Sequence, residues 1–151
     1  MKLYCTPEFL VEYNHLVKSN SYAFLESELI KLCNSTVQQV ASLGTTVLAP
    51  LGNLLFIKKR LGGSGGFRCY LLTIVVNDEV FLGFVHPKTG SMGGENITDA
   101  KKEETLAELL AARNSLGLYL LKPDTVKPKK LTFIHYSQIA PAVAQPKNPV
   151  V

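Results

Sequence analysis

The sequence predicts an α+β domain: an N-terminal helical hairpin packed on a small antiparallel sheet of three to five strands, with a further helix after the sheet. Three observations lead there. Apolar residues recur at helical spacing from Phe9 to Val40. Between Thr45 and His86 the period changes to extended β-branched and aromatic runs joined by short Gly-rich or Asn-Asp connections. Helical spacing returns beyond Asn96.

Each element has its own signal. Lys2–Thr6 suits a short strand, and Pro7 then suits the first turn of a helix, where no N–H is needed. Phe9, Tyr13, Leu16 and Val17 mark the apolar face of that helix, from Glu8 to Lys18. Ser19-Asn20-Ser21 interrupts it. Leu25, Leu29, Leu32, Cys33, Val37 and Val40 continue the period to a stop at Gly44, completing the hairpin. Thr45–Ala49, Asn53–Leu61, Phe67–Val76 and Glu79–His86 read as strands, with Asn77-Asp78 as a tight turn. Leu71–Val76 is apolar on both faces and belongs in the middle of the sheet. Thr98 or Asn96 caps the next helix, whose buried stripe is Leu106, Leu109, Leu110 and Leu116, with Gly117 as C-cap. Residues 1–118 thus make the domain, and 119–151 a basic, proline-containing, partly irregular extension in which Leu131–Tyr136 adds a strand.

Composition narrows the partners. With 151 residues and 46% hydrophobic content, the chain has enough apolar material for one core. A net charge of +4 and a pI near 9.0 favour an acidic partner, nucleic acid first among them. No apolar run approaches the roughly 18 residues of a bilayer span, so no membrane partner is expected. Met1–Pro7 lacks the apolar region of a secretory signal. Cys5, Cys33 and Cys69 are scattered and odd in number, which points to reduced thiols in a cytoplasmic protein. His15 and His135 have no ligand set beside them, so neither metal nor cofactor is expected.

The most informative stretch runs from Leu55 to Tyr70. A strand ends in Lys58-Lys59-Arg60, the loop Gly63-Ser64-Gly65-Gly66 follows, and the next strand opens Phe67-Arg68-Cys69-Tyr70. Cations beside bare glycines suit a polyanion, because Lys and Arg hold phosphate while glycine lets a backbone approach. A nucleotide cradle is rejected: no Gly-Lys-Ser/Thr follows and no helix begins there. A Lys-Lys-Arg run taken alone is more often a solvated strand end than an active site.

The order of helical segments, cation-ended strand, Gly-Ser-Gly-Gly-Phe-Arg-Cys-Tyr, apolar strand and a strand running to Lys88 resembles the RelE/ParE toxin superfamily, and its RelE-like branch most closely. The resemblance covers roughly residues 7–110. It places Lys58, Lys59 and Arg60 on the cationic strand, Gly63–Gly66 in the loop and Arg68 at the arginine that opens the next strand; Tyr70 and Lys88 match frequent aromatic and lysine positions. The loop here lacks the lysine often found in it. The resemblance implies the toxin of a type II toxin–antitoxin system, a metal-independent, ribosome-dependent mRNA endoribonuclease neutralised by a cognate antitoxin. The alternatives are a ParE-like gyrase poison and a non-catalytic binding module of the same fold.

Strand alternation puts Lys58 and Arg60 on one face and Lys59 on the other. Arg68 shares a face with Tyr70, and His86 shares one with Lys88. If those faces coincide, Lys58, Arg60, Arg68, Tyr70, His86 and Lys88 form one catalytic surface, with Lys58, Lys59, Arg60, Arg68 and Lys88 holding phosphate. Arg60 and Arg68 would clamp the phosphate, Lys58 or Lys88 would serve as base, His86 as acid or base, and Tyr70 would stack a nucleobase or donate a proton. Each also has a plainer role: Arg68 as a surface ion-pair partner, His86 as a strand end and Tyr70 as core-edge packing.

Overall fold

The computed structural model describes residues 1–63, 65–90, 93–94 and 96–139. Strand β1 (Lys2–Cys5) runs into helix α1 (Pro7–Val17) through Thr6, whose hydroxyl accepts the Phe9 N–H at 3.1 Å. Helix α2 (Leu25–Cys33) and helix α3 (Val37–Leu43) follow. The expected two-helix hairpin is therefore not what forms, because Asn34–Thr36 splits its second arm. Thr36 and Gln39 close a reciprocal capping box: the Thr36 hydroxyl accepts the Gln39 N–H at 3.1 Å, and the Gln39 side chain accepts the Thr36 N–H at 2.9 Å. That box starts a new helix inside an unbroken apolar period.

The sheet comprises β2 (Thr45–Thr46), β3 (Leu54–Leu61), β4 (Phe67–Ile74), β5 (Glu79–Pro87), β6 (Tyr119–Pro123) and β7 (Leu131–His135) together with β1. Its order is β2-β3-β4-β5-β1-β6-β7, seven strands where three to five were expected. Only β1 and β5 are parallel; every other pair is antiparallel. The added width comes from the β6–β7 hairpin, which pairs with the free side of β1 (Tyr4 opposite Leu120) and buries Leu118 and Leu121. Its connection, Asp124–Lys130, is an organised turn: the Asp124 carboxylate accepts the Val126 and Lys127 N–H groups at 2.7 and 3.0 Å. Strand β4 stops at Ile74; a 3-10 turn (Val75–Asn77) and Asp78 at φ 57° lead into β5.

Helices α1, α2 and α3 cover one face of the sheet around Phe9, Leu16, Leu25, Ile57, Cys69, Leu82 and Val85. Helix α4 (Asp99–Ser115) covers part of the other, around Phe56, Tyr70, Leu72, Phe81 and Leu109. Thr98 caps α4 by accepting the Lys101 N–H at 3.1 Å. Its buried stripe is Thr105, Leu109 and Ala112, with Leu106 and Leu110 half-buried, and Leu116 (φ 59°) rather than Gly117 takes the left-handed C-cap. A four-residue helix α5 (Tyr136–Ile139) ends the described chain; the irregular end expected of the extension, residues 140–151, lies outside the described residues.

One irregularity decides which way the β5 side chains point. Tyr70 lies opposite Phe84 but Leu71 lies opposite Leu82, so Gly83 is an extra residue in β5, a β-bulge. A Cβ at Gly83 would sit 2.8 Å from both Leu109 Cδ1 and Thr105 Cγ2, which explains a glycine where α4 crosses. The bulge restarts the alternation of β5. Leu82 and Val85 face α1–α3, whereas Phe81 and then Phe84 and His86 face the α4 side.

Candidate nucleic-acid interface

The register of β3, β4 and β5 sets side chains from three strands in rows. Arg60 lies opposite Arg68, and Arg68 opposite His86; in the adjacent row Lys58 lies opposite Tyr70, and Tyr70 opposite Phe84. Neighbouring strands are about 4.8 Å apart, so each row spans about 10 Å of backbone. Lys58, Arg60, Arg68, Tyr70 and His86 thus share one face, at the end of the sheet that α4 leaves uncovered.

Lys59 does not share it. It lies opposite Cys69, on the α1–α3 side, and lines a small cleft with Glu28, Lys31 and Ser35. Lys88 is drawn away into the turns: its ammonium donates to the Gly63 carbonyl and its N–H to the Gly66 carbonyl at 2.9 Å. Loop residues Gly62, Gly63 and Gly65 have φ of 78°, 62° and 71°, and a Cβ on Gly66 would lie 1.9 Å from the Leu61 carbonyl oxygen. These glycines make the β3–β4 turn possible. Ser64 lies outside the described residues.

The face is covered at its centre. Tyr70 is 0% exposed and His86 9%. Their rings lie parallel (7° apart) with centroids at 6.1 Å, and the Phe84 ring is 5.7 Å from the imidazole. The cover comes from Gly94, Asn96 and Ile97, between β5 and α4. The Gly94 carbonyl accepts from Arg68 Nη1 at 2.7 Å, Asn96 Oδ1 accepts from Lys58 Nζ at 3.1 Å, and the Ile97 N–H donates to the Tyr70 hydroxyl at 3.4 Å. A buried Tyr70 has no face free for a nucleobase; its ring forms the floor under His86.

Two polar atoms in this row, Arg68 Nε and His86 Nε2, are buried with no hydrogen-bond partner. Among the described residues, none of Lys58, Lys59, Arg60, Arg68 and Lys88 forms an ion pair. Among the described residues, positive charge is therefore concentrated here without a carboxylate paired to it. Burial first, and the Arg68 guanidinium second, hold the His86 imidazole below its ordinary pKa, against a hydrogen bond to the Pro87 backbone that works the other way. Burial, then Arg60, Arg68 and Lys102, lower the pKa of Lys58. Lys102, on the first turns of α4, is a contributor that strand alternation does not reveal; the Lys101-Lys102 pair following a helix cap was its only sequence signal. Lys101 lies over the Phe84 ring, 4.8 Å from its centroid. Leu43, Thr45, Lys58, Lys59 and Arg60, at the edge of β3, line an open cleft of about 560 Å³.

Models of known protein families, curated proteins and solved structures were all compared with this chain, and none matches it. No identity follows from relatives. Among the described residues, no group of three or more His, Cys, Asp or Glu side chains could hold a metal ion. No helix among them is long and apolar enough to cross a membrane. What the site offers chemically is a patch of fixed cations around an imidazole with depressed basicity.

Proposed function

We propose that the face carrying Lys58, Arg60, Arg68 and His86 binds RNA through its phosphates and cleaves it, the activity of an mRNA-degrading toxin of the RelE type that a cognate antitoxin restrains. The observation that carries this reading is the row Arg60–Arg68–His86 with Lys58 beside it, a cationic patch with no carboxylate partner among the described residues. Cleavage without a metal requires that the ribose 2′-oxygen lose its proton and attack the adjacent phosphorus. The bond from phosphorus to the 5′-oxygen then breaks, and that oxygen takes up a proton. His86, neutral near pH 7 because its pKa is lowered, is the acceptor of the first proton. Lys58, a more acidic ammonium than usual, is the donor of the second. Arg60 and Arg68 offset the charge that builds on the non-bridging oxygens. Tyr70 positions His86 and touches no substrate; Lys88 braces the loop.

Burial of His86 and Tyr70 supports a second reading, a module that binds RNA without cutting it. Inducible expression in a bacterial host, with growth and mRNA 5′ ends followed together, separates the two. Growth arrest with new mRNA ends, abolished by Arg68→Ala and reduced about 100-fold or more by His86→Gln, is the expected result. RNA binding with intact transcripts leaves the module. Arrest with intact mRNA and damaged DNA would instead indicate a gyrase poison.

A further inference from the structure

The Lys58 and Arg68 side chains are already engaged, and by the chain itself. Arg68 donates to the Gly94 carbonyl and Lys58 to the Asn96 side-chain oxygen. Both acceptors are neutral oxygens set over cations that have no carboxylate partner among the described residues. Behind them, Arg68 Nε and His86 Nε2 stay buried and unpartnered, so the contacts satisfy only part of the donor set. Gly94 and Ile97 are each attached to the sheet by one further bond: the Gly94 N–H to the Pro87 carbonyl at 3.1 Å, and the Ile97 N–H to the Tyr70 hydroxyl at 3.4 Å. Gly94 lies beside the imidazole: a Cβ there would be in ordinary van der Waals contact with His86 Nδ1, at 3.8 Å.

We infer that Gly94 and Asn96 form an autoinhibitory contact, their oxygens standing where phosphate oxygens of RNA bind, so that RNA must displace them to reach Arg68 and His86. The inference rests on the RNA-binding reading of this face. Its physical basis is the difference between acceptors. An anionic phosphate oxygen adds to the hydrogen bond a charge–charge attraction that a neutral carbonyl lacks, so the substrate outcompetes the internal occupant whereas water does not. Protein in which the contact is closed binds no phosphate at Arg68, and the apparent affinity is reduced by the fraction that is open.

The test uses the full chain and a fluorescent 2′-O-methyl oligoribonucleotide, which cannot be cleaved through its 2′-oxygen. Binding is measured by anisotropy, with thermal unfolding as the control for folding. Removing the Lys58 partner in Asn96→Ala raises the open fraction, and the dissociation constant falls about threefold to tenfold. Asn96→Asp replaces the neutral acceptor with a charged one and weakens binding by a similar factor. In the wild-type protein the Gly94 and Ile97 amide hydrogens exchange faster with the probe bound than without it. An Asn96→Ala protein that binds no tighter overturns the inference, as do amides that become slower with RNA, which would mean a segment closing onto its ligand. In either case the wild-type protein still binds and the RNA reading stands. If neither protein binds the probe, that reading and the inference fall together.

Discussion

The salt dependence of RNA binding tests the register of the sheet as directly as it tests the function. Lys58, Arg60 and Arg68 share the face of His86, whereas Lys59 projects from the opposite side. Each phosphate neutralised on a single strand contributes about −0.7 to the slope of log K against log salt, so three cations give about −2. Raising salt from 50 to 200 mM then weakens binding about 20-fold. Arg68→Ala lowers the slope to about −1.4 and the loss to about 7-fold over the same range, and Lys58→Ala does the same. Lys59→Ala leaves the slope where it was. Anisotropy titrations of the uncleavable RNA at four or more salt concentrations measure all of this. Equal effects of Lys58→Ala and Lys59→Ala would show that sheet alternation does not select the binding side chains. A wild-type slope near zero would show that the patch does not bind phosphate.

Three other outcomes are expected. Gly83→Ala forces a Cβ to within 2.8 Å of Leu109 and Thr105, and thermal denaturation should show a loss of about 1–3 kcal/mol. His86 is held neutral in the fold by burial and by Arg68, so below its ordinary value of 6.5 the unfolded chain binds the proton more readily than the folded one. Stability therefore falls as pH drops through and below 6.5, and His86→Phe flattens that part of the profile; in Arg68→Ala the imidazole pKa, followed by NMR, moves up. Ending the chain after Leu118 removes buried Leu121 and the Phe133 ring, which packs 4.9 Å from Tyr13, and should cost about 3–5 kcal/mol, or the fold itself. A truncated chain as stable as the full one would make β6 and β7 a dispensable addition.

Much of the fold is legible because its signals are local. The Thr6-Pro7 start of α1, the cation-ended β3, the apolar β4 and the Thr98 cap of α4 each depend on a few adjacent residues and stand where their chemistry requires. The split between α2 and α3 was also written locally, in Thr36-Val37-Gln38-Gln39, but the apolar period running through it masks the capping box. The β6–β7 hairpin was harder to see for a different reason. Its turn has no Asn-Gly or Asp-Gly pair, and its partner, β1, lies more than a hundred residues away in the chain. Pro123 and Pro128 make the segment look like a linker, whereas Asp124 organises it as a turn.

The candidate site divides along the same line. Alternation within β3 and within β4 is local, so Lys58 with Arg60 and Arg68 with Tyr70 could be paired from sequence alone. Bringing the strands together with His86 depends on Gly83. In a regular β5, the residues facing α4 after Phe81 would be 83 and 85, and His86 would point among the buried side chains beneath α1, where Val85 now lies. The bulge reverses that parity over one residue and brings the imidazole beside Arg68. A glycine inside a strand pattern signals a bulge only weakly, and the close approach that requires it here comes from Thr105 and Leu109, more than twenty positions downstream in α4. The cover contributed by Gly94 and Asn96 is non-local in the same sense, since nothing in their immediate sequence indicates that they meet Arg68 and Lys58. The cations could therefore be read from the strands, but their alignment with the imidazole and their occupation by the chain's own oxygens arise only from packing.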